Sequence, residues 1–240
     1  MIPKKVHITW KTKDLLQSES PIVTEGIKKL IELNPEWEVT IYDDEEVDTY
    51  LQKKLGDQYP LIADKHIVQK SDLWRLMLLF EEGGLYIDID RFIDTPLDDL
   101  IGPSTRWVLP TCRDYDFSHD FMMTAPGNPA YRVAANLYLQ RLRDGHNSIY
   151  FLGPQTYMHA ITLVVMGEMI NTDPGEEVFE EIREKLNNAG FINTYREDPP
   201  YHTIVYRNGG LNLDWEQEKR KFAFLGKLLG LANLSKKYAL

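Results

Sequence analysis

Lys70-Ser71-Asp72-Leu73-Trp74-Arg75, followed by Glu82-Gly83-Gly84-Leu85-Tyr86-Ile87-Asp88-Ile89-Asp90, is the stretch that decides the fold. Its first part has helical spacing: Val68, Asp72, Arg75 and Leu79 share one stripe, and the two apolar members mark that stripe as inward-facing. The helix is expected from about Asp64 to Glu82, stopped by the double glycine. Leu85 to Asp90 then reads as a short, mostly apolar strand of the kind covered on both faces. Asp72 and Arg75 interrupt an apolar face, which is costly unless the charges are paired or useful. They read either as a self-satisfied ion pair three residues apart or as two groups delivered into a cleft beside Asp88; the second reading is preferred. Asp88 and Asp90 stand at the C-terminal end of the strand. Alternation there puts residues two apart on one side, so the pair is expected to hold one hard divalent cation together with phosphate oxygens. That edge is where open α/β sheets bind ligands. A second Asp-x-Asp, Asp114-Tyr115-Asp116, lacks the helix, the glycines and the apolar strand.

Elements of the same alternating kind surround this stretch. Lys4–Trp10 reads as a first strand, Pro21–Leu33 as a helix stopped at Asn34-Pro35, and Trp37–Tyr42 as a second strand. The acidic run Asp43-Asp44-Glu45-Glu46 suits a helix N-terminus, whose dipole favours negative charge. Strands are expected at Trp107–Cys112 and Phe121–Ala125, helices over Asn128–Arg143, from Gly153-Pro154 to about Ile170 and over Glu176–Asn187, and late strands at Ile192–Tyr195 and Tyr201–Tyr206. Strand–helix alternation of this kind indicates an α/β fold with a mostly parallel sheet flanked by helices.

Composition bounds the rest. A chain of 240 residues with 43% hydrophobic residues has material for a sizeable core. One cysteine, Cys112, excludes an internal disulfide framework and a multi-cysteine zinc site. A net charge of −10 speaks against a nucleic-acid partner, which needs a broad basic surface. Residues 219–240 nevertheless contain six Lys/Arg and no Asp/Glu, interleaved with Phe222, Phe224, Leu225, Leu228, Leu229 and Leu231. This tail fits an amphipathic helix in peripheral contact with an anionic membrane, or a packed terminal helix with a solvated basic face. The expected organisation is a catalytic domain over residues 1–218 and a separate basic tail over 219–240. The opening residues lack the apolar run of a signal peptide and no stretch reaches the length of a membrane span, so a cytoplasmic protein is expected.

Taken together, Ile2-Pro3-Lys4-Lys5-Val6-His7-Ile8-Thr9-Trp10-Lys11, Asn34-Pro35-Glu36-Trp37, Lys70 to Arg75 and Glu82 to Asp90 resemble the DXD-containing sugar-binding glycosyltransferase family. That family includes fungal α-1,6-mannosyltransferases, vertebrate α-1,4-galactosyl- and N-acetylglucosaminyltransferases and bacterial capsule enzymes. A more distant likeness reaches the catalytic domains of large clostridial glucosylating toxins. The resemblance implies a GT-A fold, a nucleotide-sugar donor (a GDP- or UDP-sugar), Mn²⁺ or Mg²⁺, a glycan or lipid-linked acceptor, and transfer with retention of anomeric configuration.

It also implies residue roles. Trp10 matches an aromatic position that looks toward the nucleotide base, with a core tryptophan as the plainer alternative. Asp72 and Arg75 match donor-sugar contacts. Gly83 and Gly84 match the close turn into the metal strand, with Gly84 counted on the donor side, and Tyr86 reads as packing. Asp88 is expected to contact the ribose or sugar and the metal, and Asp90 to ligate the metal directly. In His119-Asp120-Phe121-Met122-Met123-Thr124-Ala125-Pro126-Gly127-Asn128-Pro129, Asp120 stands where relatives carry Asn and Asn128 where they carry His, and Asp120 is the acceptor-side candidate. Gly153-Pro154 matches a Gly-Pro step into a helix, or is a plain helix start. His202, ahead of Trp215, is the candidate third metal ligand; His66, His146 and His159 read as structural.

Two other classes compete. A metal-dependent phosphate enzyme also uses paired carboxylates. A dehalogenase-type phosphatase, however, needs Thr or Val where this chain has Phe92, and a nucleotidyltransferase usually shows a glycine-rich loop that His7–Lys13 lacks. A non-catalytic nucleotide-sugar binding module would be most cheaply made by losing a metal carboxylate, and both are present. In a glycosidase two carboxylates flank the scissile bond without a metal.

Overall fold

The computed structural model describes residues 1–15, 21–89, 91–93, 95–103, 105–113, 116–166, 181–182, 184–185 and 205–207. Asp90, His202 and the basic tail over 219–240 lie outside the described residues, as do the expected strand at Ile192–Tyr195 and most of the expected helix at Glu176–Asn187.

The elements of the first half follow the sequence closely: β1 (Lys5–Thr9), α1 (Pro21–Leu33), β2 (Glu38–Tyr42), α2 (Asp44–Leu55), α3 (Ile67–Glu82) and β3 (Gly84–Ile87). Asp43 caps α2 in a reciprocal box with Glu46, and three acidic residues fill the first turn, where they complement the helix dipole. Helix α3 starts three residues later than expected, because His66 accepts from Val68 N–H and Gln69 reaches back to the His66 backbone. Beyond β3 come β4 (Arg91–Ile93), β5 (Trp107–Val108), β6 (Thr111–Arg113), β7 (Asp116–Phe117), β8 (Phe121–Thr124), α4 (Pro129–Arg143), α5 (Ile149–Leu152), α6 (Pro154–Met166) and β9 (Val205–Arg207). The single strand expected over Trp107–Cys112 is therefore two: β5 stays in the main sheet, and β6 pairs with β7 instead.

The main sheet has the order β2-β1-β3-β8-β5. Strands β1, β2 and β3 are parallel, while β8 runs antiparallel to both β3 and β5, so one strand of the five is reversed. Leu85, Ile87, Phe121 and Met123 join one apolar layer with Val23, Ile27 and Leu30 of α1. Tyr86 and Met122, the intervening residues, join the other layer with Trp74, Leu76 and Leu79 of α3 and with residues of α4 and α6. The period of two thus divides β3 and β8 between two covered faces, which is why the strand reads as a continuous apolar run.

This topology gathers one edge. The parallel strands β1, β2 and β3 end together at Thr9, Tyr42 and Ile87, and the reversed β8 begins there at Phe121. Trp10, Asp88, His119 and Asp120 are the residues that follow or precede those strand ends.

Candidate active site

The site begins where β3 stops. Asp88 and Asp90 were expected to share one face of a strand, but the strand ends at Ile87. The amide of Asp88 still donates to the Asp120 carbonyl at 2.8 Å, and the amide of Arg91 returns to the Asp88 carbonyl at 3.0 Å, which closes a turn over 88–91. Ile89 is buried and β4 then leaves to pair with β9. Strand geometry therefore ends before Asp88, and Asp90 lies outside the described residues.

Asp88 Oδ1 accepts from the Tyr86 hydroxyl at 2.6 Å and from Arg75 Nη1 at 3.2 Å. Its side chain remains 34% exposed, against 7% for Arg75. Tyr86, read from sequence as packing, is thus a member of the site. Its one signal in the sequence was its place two residues before Asp88.

Arg75 organises the cluster. Nε donates to the Ser71 carbonyl at 3.3 Å, Nη1 also donates to the His119 carbonyl at 2.7 Å, and Nη2 lies 3.1 Å from Asp72 Oδ1. The guanidinium stacks 4.1 Å from the Tyr86 ring centroid. Arg75 thus pairs with Asp72 three residues away and also reaches Asp88. A guanidinium has five N–H donors, and this one spends most of them on protein acceptors. It is a bridge between two carboxylates, not a cation held open for a ligand.

Asp72 is nearly enclosed, and burial pushes its carboxyl up to about 7 against the opposing pull of Arg75, with the charge of Asp88 adding to the rise. Its Oδ2 is buried without a hydrogen-bond partner, as is Nε2 of His119. Burial and the adjacent Arg75 hold the His119 imidazole well below its ordinary value, so its 3.5 Å approach to Asp72 is a contact of a neutral ring and not an ion pair. His119 was not singled out from sequence; only its place beside Asp120 pointed to it.

The remaining candidates are distributed along the same edge or away from it. Asp120 touches the site through its carbonyl, while its carboxylate is ion-paired with Arg91 and hydrogen-bonded by Ser118. Trp10 continues the β1–β2 ladder by donating its amide to the Tyr42 carbonyl at 3.0 Å, is partly buried, and has Lys11 Nζ 5.7 Å from its ring centroid. Gly84 lies at the other end of β3 from Asp88. With φ 92°, it has no room for a side chain, since a Cβ there meets the Lys5 carbonyl oxygen at 2.6 Å. Its work is to let β1 and β3 approach, which replaces the donor-side role expected for it. Asn128 caps α4 by accepting from Ala130 N–H, so the residue that stands in place of the family's His serves a helix start. Of the histidines read as structural, His66 caps α3, His146 packs on Phe151 at 4.6 Å, and His159 is buried beside Arg141.

The donor chemistry of the described residues fits a hard cation in one way. No group of three His, Cys, Asp or Glu is gathered closely enough among them to enclose a metal ion. Asp88, partly exposed and with one oxygen outside the Tyr86 and Arg75 bonds, suits a cation held by one or two carboxylates and completed by substrate phosphates.

Residues 21–107 match the family described as the glycosyltransferase sugar-binding region containing a DXD motif. Inositol phosphoceramide mannosyltransferase 1 of Schizosaccharomyces pombe is 25% identical over 138 residues, 57% of this chain and 43% of that protein. Inositol phosphoceramide mannosyltransferase 2 of the same yeast is 31% identical over 164 residues, 66% of this chain and 43% of that protein. The chain thus spans less than half the length of these two relatives. Among solved structures, PaToxG glycosyltransferase superposes with a TM-score of 0.55 at 17% identity, covering 85% of this chain and 86% of its own. That likeness is one of fold, and it agrees with the GT-A architecture expected from the sequence. Residues 21–107 are thus similar to the DXD-containing sugar-binding region of this glycosyltransferase family, and the yeast relatives align over more than half of the chain.

Proposed function

We propose that this protein is a retaining, metal-dependent glycosyltransferase that moves a hexose from a GDP- or UDP-sugar to a glycan or lipid-linked acceptor. The observation that carries the reading is the joining of buried Asp72 to half-exposed Asp88 by one guanidinium at the C-terminal edge of the sheet. The family match over residues 21–107 supports the reaction class, and the names of the yeast relatives favour mannose as the first sugar to test and a phosphoceramide as an example of a lipid-linked acceptor.

The residues divide the work by burial. Asp88, the more exposed carboxylate, stands where a divalent cation and a donor diphosphate meet, with Asp90 as its partner in the motif. Asp88 and Asp90 would hold Mn²⁺ or Mg²⁺, which would supply charge neutralisation for the departing diphosphate. Tyr86 and Arg75 fix the Asp88 carboxylate in one orientation before any ligand arrives. Asp72 has one oxygen outside the Arg75 pairing, and that acceptor suits a sugar hydroxyl. Neither Asp72 nor Asp88 is placed as a free base, because both lean on the same guanidinium; this separates the arrangement from the paired carboxylates of a glycosidase. Trp10, at the end of β1, offers a ring on which a nucleotide base stacks. His202 remains the candidate third ligand and Asp120 the acceptor-side candidate, the latter through its position beside Asp88 and with its carboxylate held by Arg91.

A cytoplasmic location with peripheral membrane contact through residues 219–240 completes the proposal, since a lipid-linked acceptor is reached at a bilayer surface. Among the described residues no helix is long and apolar enough to cross a membrane. The deciding experiment is a thermal-shift matrix of GDP, UDP, GDP-mannose and UDP-glucose, each with and without Mn²⁺, on the wild type and on Asp88→Asn and Asp90→Ala. Stabilisation by one nucleotide series only with metal, and lost in both variants, is expected. Absence of any nucleotide response from the folded protein would overturn the reading and favour another phosphate substrate.

A further inference from the structure

The corner between α5 and α6 touches the donor side of the cluster at one atom that is missing. Gly153 caps α5 and precedes Pro154, the first residue of α6. A Cβ at position 153 meets Asp72 Cγ at 2.8 Å, overlaps Asp72 Oδ2, and lies 3.2 Å from the Ile149 carbonyl oxygen. The φ of Gly153 is −85°, so the left-handed region is not what calls for a glycine here. The space does: the Asp72 carboxylate fills the place of the absent side chain.

The corner is also held still. The amide of Gly153 donates to the Ile149 carbonyl at 2.8 Å and its carbonyl accepts from Tyr157 N–H at 3.1 Å. Two residues earlier, the Phe151 carbonyl accepts from Arg141 Nη1 at 2.6 Å and from Thr156 Oγ1 at 3.0 Å. Arg141 also donates to Thr156 Oγ1 at 2.6 Å and to His159 Nδ1 at 2.5 Å, and its guanidinium covers the Phe151 ring at 4.0 Å. Those acceptors are neutral. A buried cation placed among neutral acceptors is an expensive way to secure a loop carbonyl, and it is spent on the turn that ends in Gly153.

We infer that Gly153, fixed at the α5–α6 corner by Arg141, is a positioning residue for Asp72: its missing side chain sets how far the Asp72 carboxylate stands from Arg75 and from a bound sugar. The sugar half of this inference rests on the donor-binding reading above; the contact itself does not.

The test compares Gly153→Ala, Asp72→Ala and the double variant in the full chain. Thermal unfolding of Gly153→Ala should fall by roughly 3–10 °C, the range expected for overpacking in a chain of this size. Most of that loss should vanish in the Asp72→Ala background; equal losses in both backgrounds would overturn the inference. If Gly153→Ala does not fold, the double variant decides: folding restored by Asp72→Ala supports the contact, and no restoration overturns it. Binding in the presence of Mn²⁺ gives a readout that general destabilisation does not move. Gly153→Ala should bind GDP-mannose or UDP-glucose about tenfold more weakly, with the free nucleoside diphosphate unchanged, as loss of one hydrogen bond to the sugar predicts. Equal weakening of both would count against positioning. If the wild type binds neither, the donor-binding reading fails while the unfolding comparison still decides the contact.

Discussion

The Tyr86 hydroxyl donates to Asp88 Oδ1 at 2.6 Å, so the last turnward-facing side chain of β3 holds the carboxylate that the strand itself no longer orients. Tyr86→Phe keeps the ring under Arg75 and removes this bond together with the 3.4 Å contact of the hydroxyl with Thr9 Oγ1. Because Asp88 is partly exposed, water replaces the lost donor and the stability change should be small, about 1 kcal/mol. Metal affinity should fall more noticeably than stability, measured by Mn²⁺ titration; unchanged affinity would return Tyr86 to packing alone.

Removing Arg75 should be far more damaging. Arg75→Met takes the donor away from the Asp72 and Asp88 carboxylates and from the His119 carbonyl at once, and breaking a buried pair from one side costs about 3–5 kcal/mol. Urea unfolding should show this loss, whereas Asp88→Asn, at a half-exposed position, should unfold near the wild-type midpoint while losing metal-dependent transfer. A fully stable Arg75→Met would remove the guanidinium bridge from the account.

The protonation of Asp72 links the site to pH. Its carboxyl is pushed from 3.8 up to about 7 by burial, so the folded state keeps a proton that the unfolded chain has released over that interval. Stability contributed by this group is present below pH 4 and declines as pH rises toward 7, by at most roughly 4 kcal/mol. Asp72→Asn removes the dependence. The difference between wild-type and variant unfolding free energies, followed from pH 4 to 8, should therefore slope in the variant's favour with rising pH; a flat difference would place the Asp72 proton elsewhere.

Gly84→Ala tests the seam between β1 and β3. The new Cβ meets a backbone oxygen, and φ at this position is 92°, so both space and conformation oppose it. A loss of about 2 kcal/mol or more is expected from chemical unfolding. Wild-type stability in this variant would contradict the close approach of Lys5 to Gly84.

Trp10→Ala should weaken nucleotide binding about tenfold, in line with the contribution of one base–aromatic stack, with little change in unfolding. Unchanged affinity accompanied by lower stability would identify Trp10 as a core residue.

The sequence determined the alternation of strands and helices and the candidates Asp72, Arg75 and Asp88, because periodicity, the acidic run from Asp43 to Glu46 and the double glycine are local signals carried by neighbouring residues. The tertiary structure decided the rest. It ended β3 at Ile87 and replaced strand alternation by a turn at Asp88, since the chain leaves the sheet there to pair β4 with β9. It turned Arg75 inward as a bridge, brought the His119 carbonyl to it from 44 residues away, and let Gly153 make room for Asp72. It also moved Gly84 from the site to the β1–β3 seam. Each of these depends on which distant segments share one buried space, and burial is what fixes hydrogen-bond partners and raises the Asp72 carboxyl; no pattern along the chain encodes that distance.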